Sequence, residues 1–176
     1  CLVALIAGSV FGIFFSGEDS GTGMSMQTVV QEINQEYDDR LEQEKNSVSY
    51  DVLEMSGSRA VWKDVLAVYS VKVNTDPDNP MEVATVDETK KQLLSDIFWE
   101  MNDISSRTET KTHTEIEESD DGHGNIVQTE TTVTETFLYI TVSHKTVDEM
   151  AAMYGFNQEQ KEYLAELLKD ENNQLW

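Results

Sequence analysis

Apolar and polar positions follow three rhythms along this chain, and the changes of rhythm divide it. Residues 1–15, CLVALIAGSVFGIFF, carry no charge and one polar side chain, Ser9. Continued to Gly17 as a helix at about 1.5 Å per residue, the run covers roughly 25 Å, slightly less than the roughly 30 Å hydrocarbon core of a bilayer. The run is therefore expected to be a transmembrane helix truncated at its start, followed at residues 16–25 by a polar, glycine-rich linker. A cleaved signal peptide is one rival reading, opposed by the bulk of Ile13-Phe14-Phe15 where a small-x-small cleavage site belongs. A buried core helix is the other.

The second rhythm has the period of a helix. Met26, Val29, Val30, Ile33, Tyr37 and Leu41 lie three and four apart, with acids between them, and form a narrow stripe expected to dock on the domain, with pairing to another helix as the alternative. Tyr50 to Met55 is a short mixed stretch ending near Gly57, and Ser58 is a candidate cap for a helix within residues 59–73, whose apolar face is Trp62, Val65, Leu66, Tyr69 and Val73. Both prolines fall in residues 74–80, NTDPDNP, which should stop that helix. A third helix begins at Thr85 or Asp87 and presents Val86, Leu93, Leu94, Ile97, Phe98, Met101 and Ile104. A charge at Phe98 should be the most damaging single change.

From Arg107 the rhythm becomes alternation: TETKTHTEIEE, the turn SDDGHGN, then IVQTETTVTETFLYITVSHK. Threonine-rich runs flanking an Asp-Gly turn predict one long antiparallel β-hairpin, polar on both faces toward its tip and apolar only from Phe137 to Val142. Two helices follow. Thr146 with Glu149 and Asn157 with Gln160 read as capping boxes, Gly155 as the stop between them, and Tyr163, Leu164, Leu167 and Leu168 as the last apolar face. The pattern is interrupted at Trp176, so the chain is expected to be truncated there. The fold class is α+β: a truncated N-terminal transmembrane helix, then at residues 26–176 an extracellular, mostly helical domain with one long hairpin.

Charge narrows the partners. Lys and Arg number 12 against 34 Asp and Glu, a net charge of −22, which excludes nucleic acid because phosphate binding needs a basic footprint. The first basic residue after the apolar run is Arg40, so the soluble part should face outward from a single-pass membrane protein. No catalytic, cofactor-binding or metal site is predicted, and no cofactor. Cys1 is the sole cysteine and sits within the apolar run, where it suits neither a lipid anchor nor a nucleophile. His113, His123 and His144 lack metal-ligand spacing. Asp120-Asp121-Gly122-His123-Gly124-Asn125 is acidic and glycine-rich like a calcium loop, but its flanks alternate as strands and the twelfth position is Thr131, not Glu.

Several stretches carry a resemblance: GIFFSGEDSG (12–21), SRAVWKDVLAVY (58–69), VNTDPDNP (73–80), DIFWEMN (96–102), LYITVSHK (138–145) and DENN (170–173). Together they resemble the membrane-proximal N-terminal region of NlpC-type cysteine peptidases, cell-wall hydrolases encoded on conjugative mobile elements of Firmicutes. The resemblance implies that a peptidase domain follows, cutting peptide stems of peptidoglycan, and that this region is a non-catalytic spacer. No residue here matches the family's Cys-His pair. Some relatives carry a lysozyme-like domain before the peptidase, and Val71 and Lys72 occupy the place of its catalytic Glu. The expected partners are the membrane, through residues 1–15, and peptidoglycan or conjugation-channel proteins. Two alternatives stand beside the spacer: a structural or partner-binding subunit of a conjugation channel, and a degenerate or unrecognised lysozyme-like muramidase.

Overall fold

A computed structural model of the protein describes residues 24–74 and 86–169. The expected membrane helix, most of the linker, nearly all of the proline turn and the stretch from residue 170 onward lie outside them. Among the described residues no helix is long and apolar enough to cross a membrane. The class is α+β, with elements in the order α1 (Met26–Lys45), β1 (Val52–Gly57), α2 (Trp62–Asn74), α3 (Glu88–Met101), β2 (Asn102–Asp120), β3 (Ile126–His144), α4 (Val147–Met153) and α5 (Gln158–Leu167). The chain divides into two compact units. One holds the described residues up to Asp39, those from Ser58 to Asp103 and those from Ser143 onward; the other holds 40–57 and 104–142.

The helical unit is built round α2, which packs against α3, α4 and α5. Its sequence suggests one apolar face, yet Val65 through Val71 and Val73 are all buried. Periodicity reveals which face is greasy, whereas Ala67, Ser70 and Val71 are covered because neighbours stand on several sides. Buried Ser70 remains satisfied by donating to the Leu66 carbonyl at 2.7 Å. Ser58 does not cap this helix, which begins later, at Trp62; the Val61 carbonyl accepts the first-turn N–H groups of Asp64 and Val65.

Helix α3 starts as expected. Asp87 is its N-cap, accepting the Lys90 N–H at 2.9 Å. The helix stops at Met101, so Ile104, expected on its face, is a buried residue of β2 instead, and the strand begins at Asn102 rather than Arg107. No glycine ends α3. The Asn102 N–H and side-chain amide both donate to the Phe98 carbonyl, the Lys145 N–H donates to Met101 O at 2.8 Å, and Lys145 Nζ donates to Glu100 O at 2.5 Å. These donors occupy carbonyls that a helix C-terminus otherwise leaves to water. Both anticipated capping boxes are present, and Gly155 takes the left-handed conformation between their helices, at φ 65°.

The second unit contains a three-stranded mixed sheet in the order β1-β3-β2. Its third strand, β1, falls where the sequence shows only a mixed stretch. It runs parallel to β3, from Val52 opposite Phe137 to Gly57 opposite Val142. A six-residue strand gives too few repeats for alternation to declare itself. Leu138, Ile140 and Val142 are buried, as the apolar stretch of β3 predicts. Gly57 closes β1 at φ 82°, where an added Cβ would lie 1.8 Å from the Val142 carbonyl oxygen.

Two substitutions test this account. Phe98 is fully buried, stacked on Trp62 and edge-on to Tyr37 and Trp99. Phe98→Ala should cost about 3–5 kcal/mol in urea unfolding, and Phe98→Asp should abolish the cooperative transition, since it adds an unpaired buried charge. Gly57→Ala should lower the unfolding midpoint and speed amide exchange at the end of β1, because neither its φ nor the space at Val142 admits a methyl group.

Candidate functional site

Alternation along β3 places Phe137 and Tyr139 two apart on one face of the sheet. Their rings stack at 6.1 Å with 17° between planes. Two of the chain's few cations come from β2 to the same place. Arg107 lies 4.0 Å from the Tyr139 ring centroid, and Lys111 Nζ lies 4.2 Å from that of Phe137. Lys111 also donates to the Tyr139 hydroxyl at 2.7 Å, a bond that holds its ammonium above the usual range. Arg107 is further paired with Glu109 at 3.0 Å. The arrangement is a half-exposed polar and aromatic surface that offers contact and hydrogen bonding. Sequence reading missed it because the cation and ring positions are about thirty residues apart and meet only through strand register.

A second aromatic group belongs to the helical unit. Tyr37 stacks on Trp99 at 6.2 Å, and the Asn34 side-chain Oδ1 accepts from both Arg59 Nη1 at 2.5 Å and Trp62 Nε1 at 3.0 Å. Burial raises the Tyr37 phenol, and the Arg59 guanidinium, 5.2 Å from its ring, pulls it back. These contacts suit the cluster to fixing α1 on the helices, and Met26, Val29, Ile33 and Tyr37 of its stripe are buried.

The histidines are held by different neighbours. His113, on β2, has Nε2 3.3 Å from Glu115 and Nδ1 3.9 Å from Glu135. The His123 N–H donates to Asp121 in the turn, and His144 Nδ1 donates to the Ser58 carbonyl at 2.8 Å. Among the described residues no group of three or more His, Cys, Asp or Glu could hold a metal ion. In the acidic turn, Asp120 accepts the N–H groups of Gly122 and Gly124, while Asp121 accepts those of His123 and Asn125 and the Asn125 side chain. The Asn125 side chain foremost, with those backbone donors, holds the Asp121 carboxyl below its usual range. These oxygens fasten the turn, as Asx bonds do.

At the position compared with a muramidase acid, Val71 is fully buried and Lys72 sets its ammonium 3.5 Å from the Tyr154 ring centroid. The Tyr154 hydroxyl donates to the Glu100 carboxylate. Burial, then that bond and the carboxylate's charge, push the phenol far above its usual range, so it stays a protonated donor. Half-buried Asp64, on α2, is raised by burial, with Lys63 and His144 pulling it back. None of these groups converges with a nucleophile and a base on a common point.

Compared with family models, curated proteins and solved structures, the chain matches none.

The capping box at α4 carries a pH signature. Glu149 accepts the Thr146 N–H at 2.7 Å and its hydroxyl at 3.1 Å, and these bonds hold its carboxyl below the usual 4.5. A depressed folded pKa contributes stability above the unfolded value and loses it as pH falls through the folded one. Glu149→Gln should therefore make the decline of the urea midpoint shallower in the window below about pH 4.5, with little change in its slope near neutrality.

Proposed function

We propose that this chain is the extracellular, non-catalytic positioning domain of a membrane-anchored peptidoglycan hydrolase of the NlpC type that serves conjugative transfer. In this reading a truncated transmembrane helix at residues 1–15 anchors a mostly helical domain bearing one long antiparallel β-hairpin, and a peptidase domain follows. The observation that carries the reading is where the resemblance falls. Of its described stretches, residues 58–69 contribute buried Val65, Leu66, Val68 and Tyr69; residues 96–102 contribute Ile97, Phe98, Met101 and Asn102; residues 138–145 contribute Leu138, Ile140 and Val142. In this reading the stretches that resemble the family serve packing and capping, the part of a sequence that makes a scaffold, and a scaffold is what holding an enzyme requires. The physical gain is effective concentration: a tethered hydrolase samples only the wall within reach of its spacer.

The full reading frame supplies the first test, since a peptidase domain must follow. In the intact parent protein, replacing residues 26–169 with a flexible linker should leave hydrolysis of isolated walls unchanged. Transfer frequency between cells should fall about tenfold or more. Unchanged transfer would sink the positioning role, and release of reducing sugar ends by the chain without its peptidase would establish a muramidase instead.

A further inference from the structure

The sheet is not finished along β3. Strand β1 covers β3 only from Phe137 to Val142, whereas β3 begins at Ile126, so residues 126–135 have β2 on one side and no described strand on the other. The register fixes which main-chain groups face that side. Thr112 with Thr134, Glu118 with Gln128, and the Asp121 N–H bonded to Asn125 O keep β2 and β3 in one constant offset, without a bulge. The last of these points the odd-numbered main chain of β3 toward β2. On the opposite side, the Asp51 N–H donates to Thr136 O at 2.8 Å and the Thr136 N–H to the Asp51 carboxylate at 2.7 Å, so the even-numbered main chain faces β1. Counting back by two, the N–H and C=O groups of Thr134, Thr132, Glu130 and Gln128 face the uncovered side, and all four residues are exposed. Asp51 ends the β1 pairing and leaves the edge open beyond it.

Such an edge is a template for another strand. Charge decides which strand. From Thr112 to Glu135 the chain carries seven carboxylates and no Lys or Arg. A second copy of this chain would bring the same acids against them, on a molecule already at −22. We infer that the open edge of β3 from Gln128 to Thr134 takes up an extended segment of a partner protein with Lys or Arg at alternate positions, adding a strand in line with β1. The main chain supplies the binding and the flanking carboxylates select the basic partner. Nothing in this depends on what a parent enzyme cleaves.

The test uses the whole chain and two capped ten-residue peptides, one alternating Lys with Val and one alternating Glu with Val. Ten residues at about 3.3 Å each match the open stretch. The Lys peptide should slow amide exchange at Gln128, Glu130, Thr132 and Thr134, with binding that weakens as salt rises, and the Glu peptide should do neither. Thr132→Pro removes an outward N–H without touching the bonds to β2. It should raise the Kd at least about tenfold while the amides of Thr131 and Val133 stay protected. Glu130→Lys with Glu135→Lys should move the preference toward the Glu peptide. Protection along the outer edge of β2 instead, equal binding of both peptides, no binding, or a Thr132→Pro variant that binds as before would each overturn the assignment.

Discussion

The buried amide of Asn102 is the contact on which the rest of the helical unit depends. At this residue the chain passes from α3 to β2 without a loop, an abrupt change that leaves helix carbonyls and a strand N–H to be satisfied in the interior. The Asn102 side chain donates to Phe98 O at 2.8 Å, closing the helix, and accepts the Ala60 N–H at 2.6 Å, holding the segment that enters α2. One side chain therefore sets where α3 ends and where α2 begins. Phe98, whose carbonyl it receives, is also the ring against which Trp62, Tyr37 and Trp99 are arranged. A buried amide that fulfils both its donor and its acceptor capacity adds specificity without the cost of an orphaned polar group.

The two units are stabilised by different physics. In the helical unit, large apolar side chains from five helices are removed from water, and the side chains of Asp87, Asn102, Thr146 and Asn157 satisfy both ends of α3 and the starts of α4 and α5. In the sheet unit, apolar burial is confined to Ile104 near the start of β2 and to the part of β3 that β1 covers. Beyond it the strands rely on main-chain pairing, threonine contacts such as Thr112 with Thr134, and a turn bound by its own aspartates. An acidic, incompletely covered strand pair is a suitable place for contact with another molecule.

That contrast bears on function. The cations that reach the sheet, Arg107 and Lys111, are drawn onto the rings of Tyr139 and Phe137, which leaves the outer part of the strand pair carrying carboxylates alone. On the helical unit, Tyr154 is engaged with Glu100 and Lys72, and Asn34 with Arg59 and Trp62. These side chains hold structure.

The sequence by itself determined the local features: the stripe of α1, the Asp87 cap, both capping boxes, the Gly155 stop and the apolar base of β3 with its polar continuation. Each rests on interactions within three or four residues or on a repeat long enough to read, so no distant partner is needed to see it. Tertiary structure alone decided the rest. It made β1 a strand, since only pairing with Phe137 to Val142 gives that short stretch its conformation, and it placed Ile104 in a strand by letting Asn102 end the helix early. It buried every side of the middle of α2. It also joined Arg107 and Lys111 to the aromatic pair and left residues 128–134 of β3 open. Those outcomes depend on which distant segments become neighbours, and periodicity along one chain carries no record of register between strands.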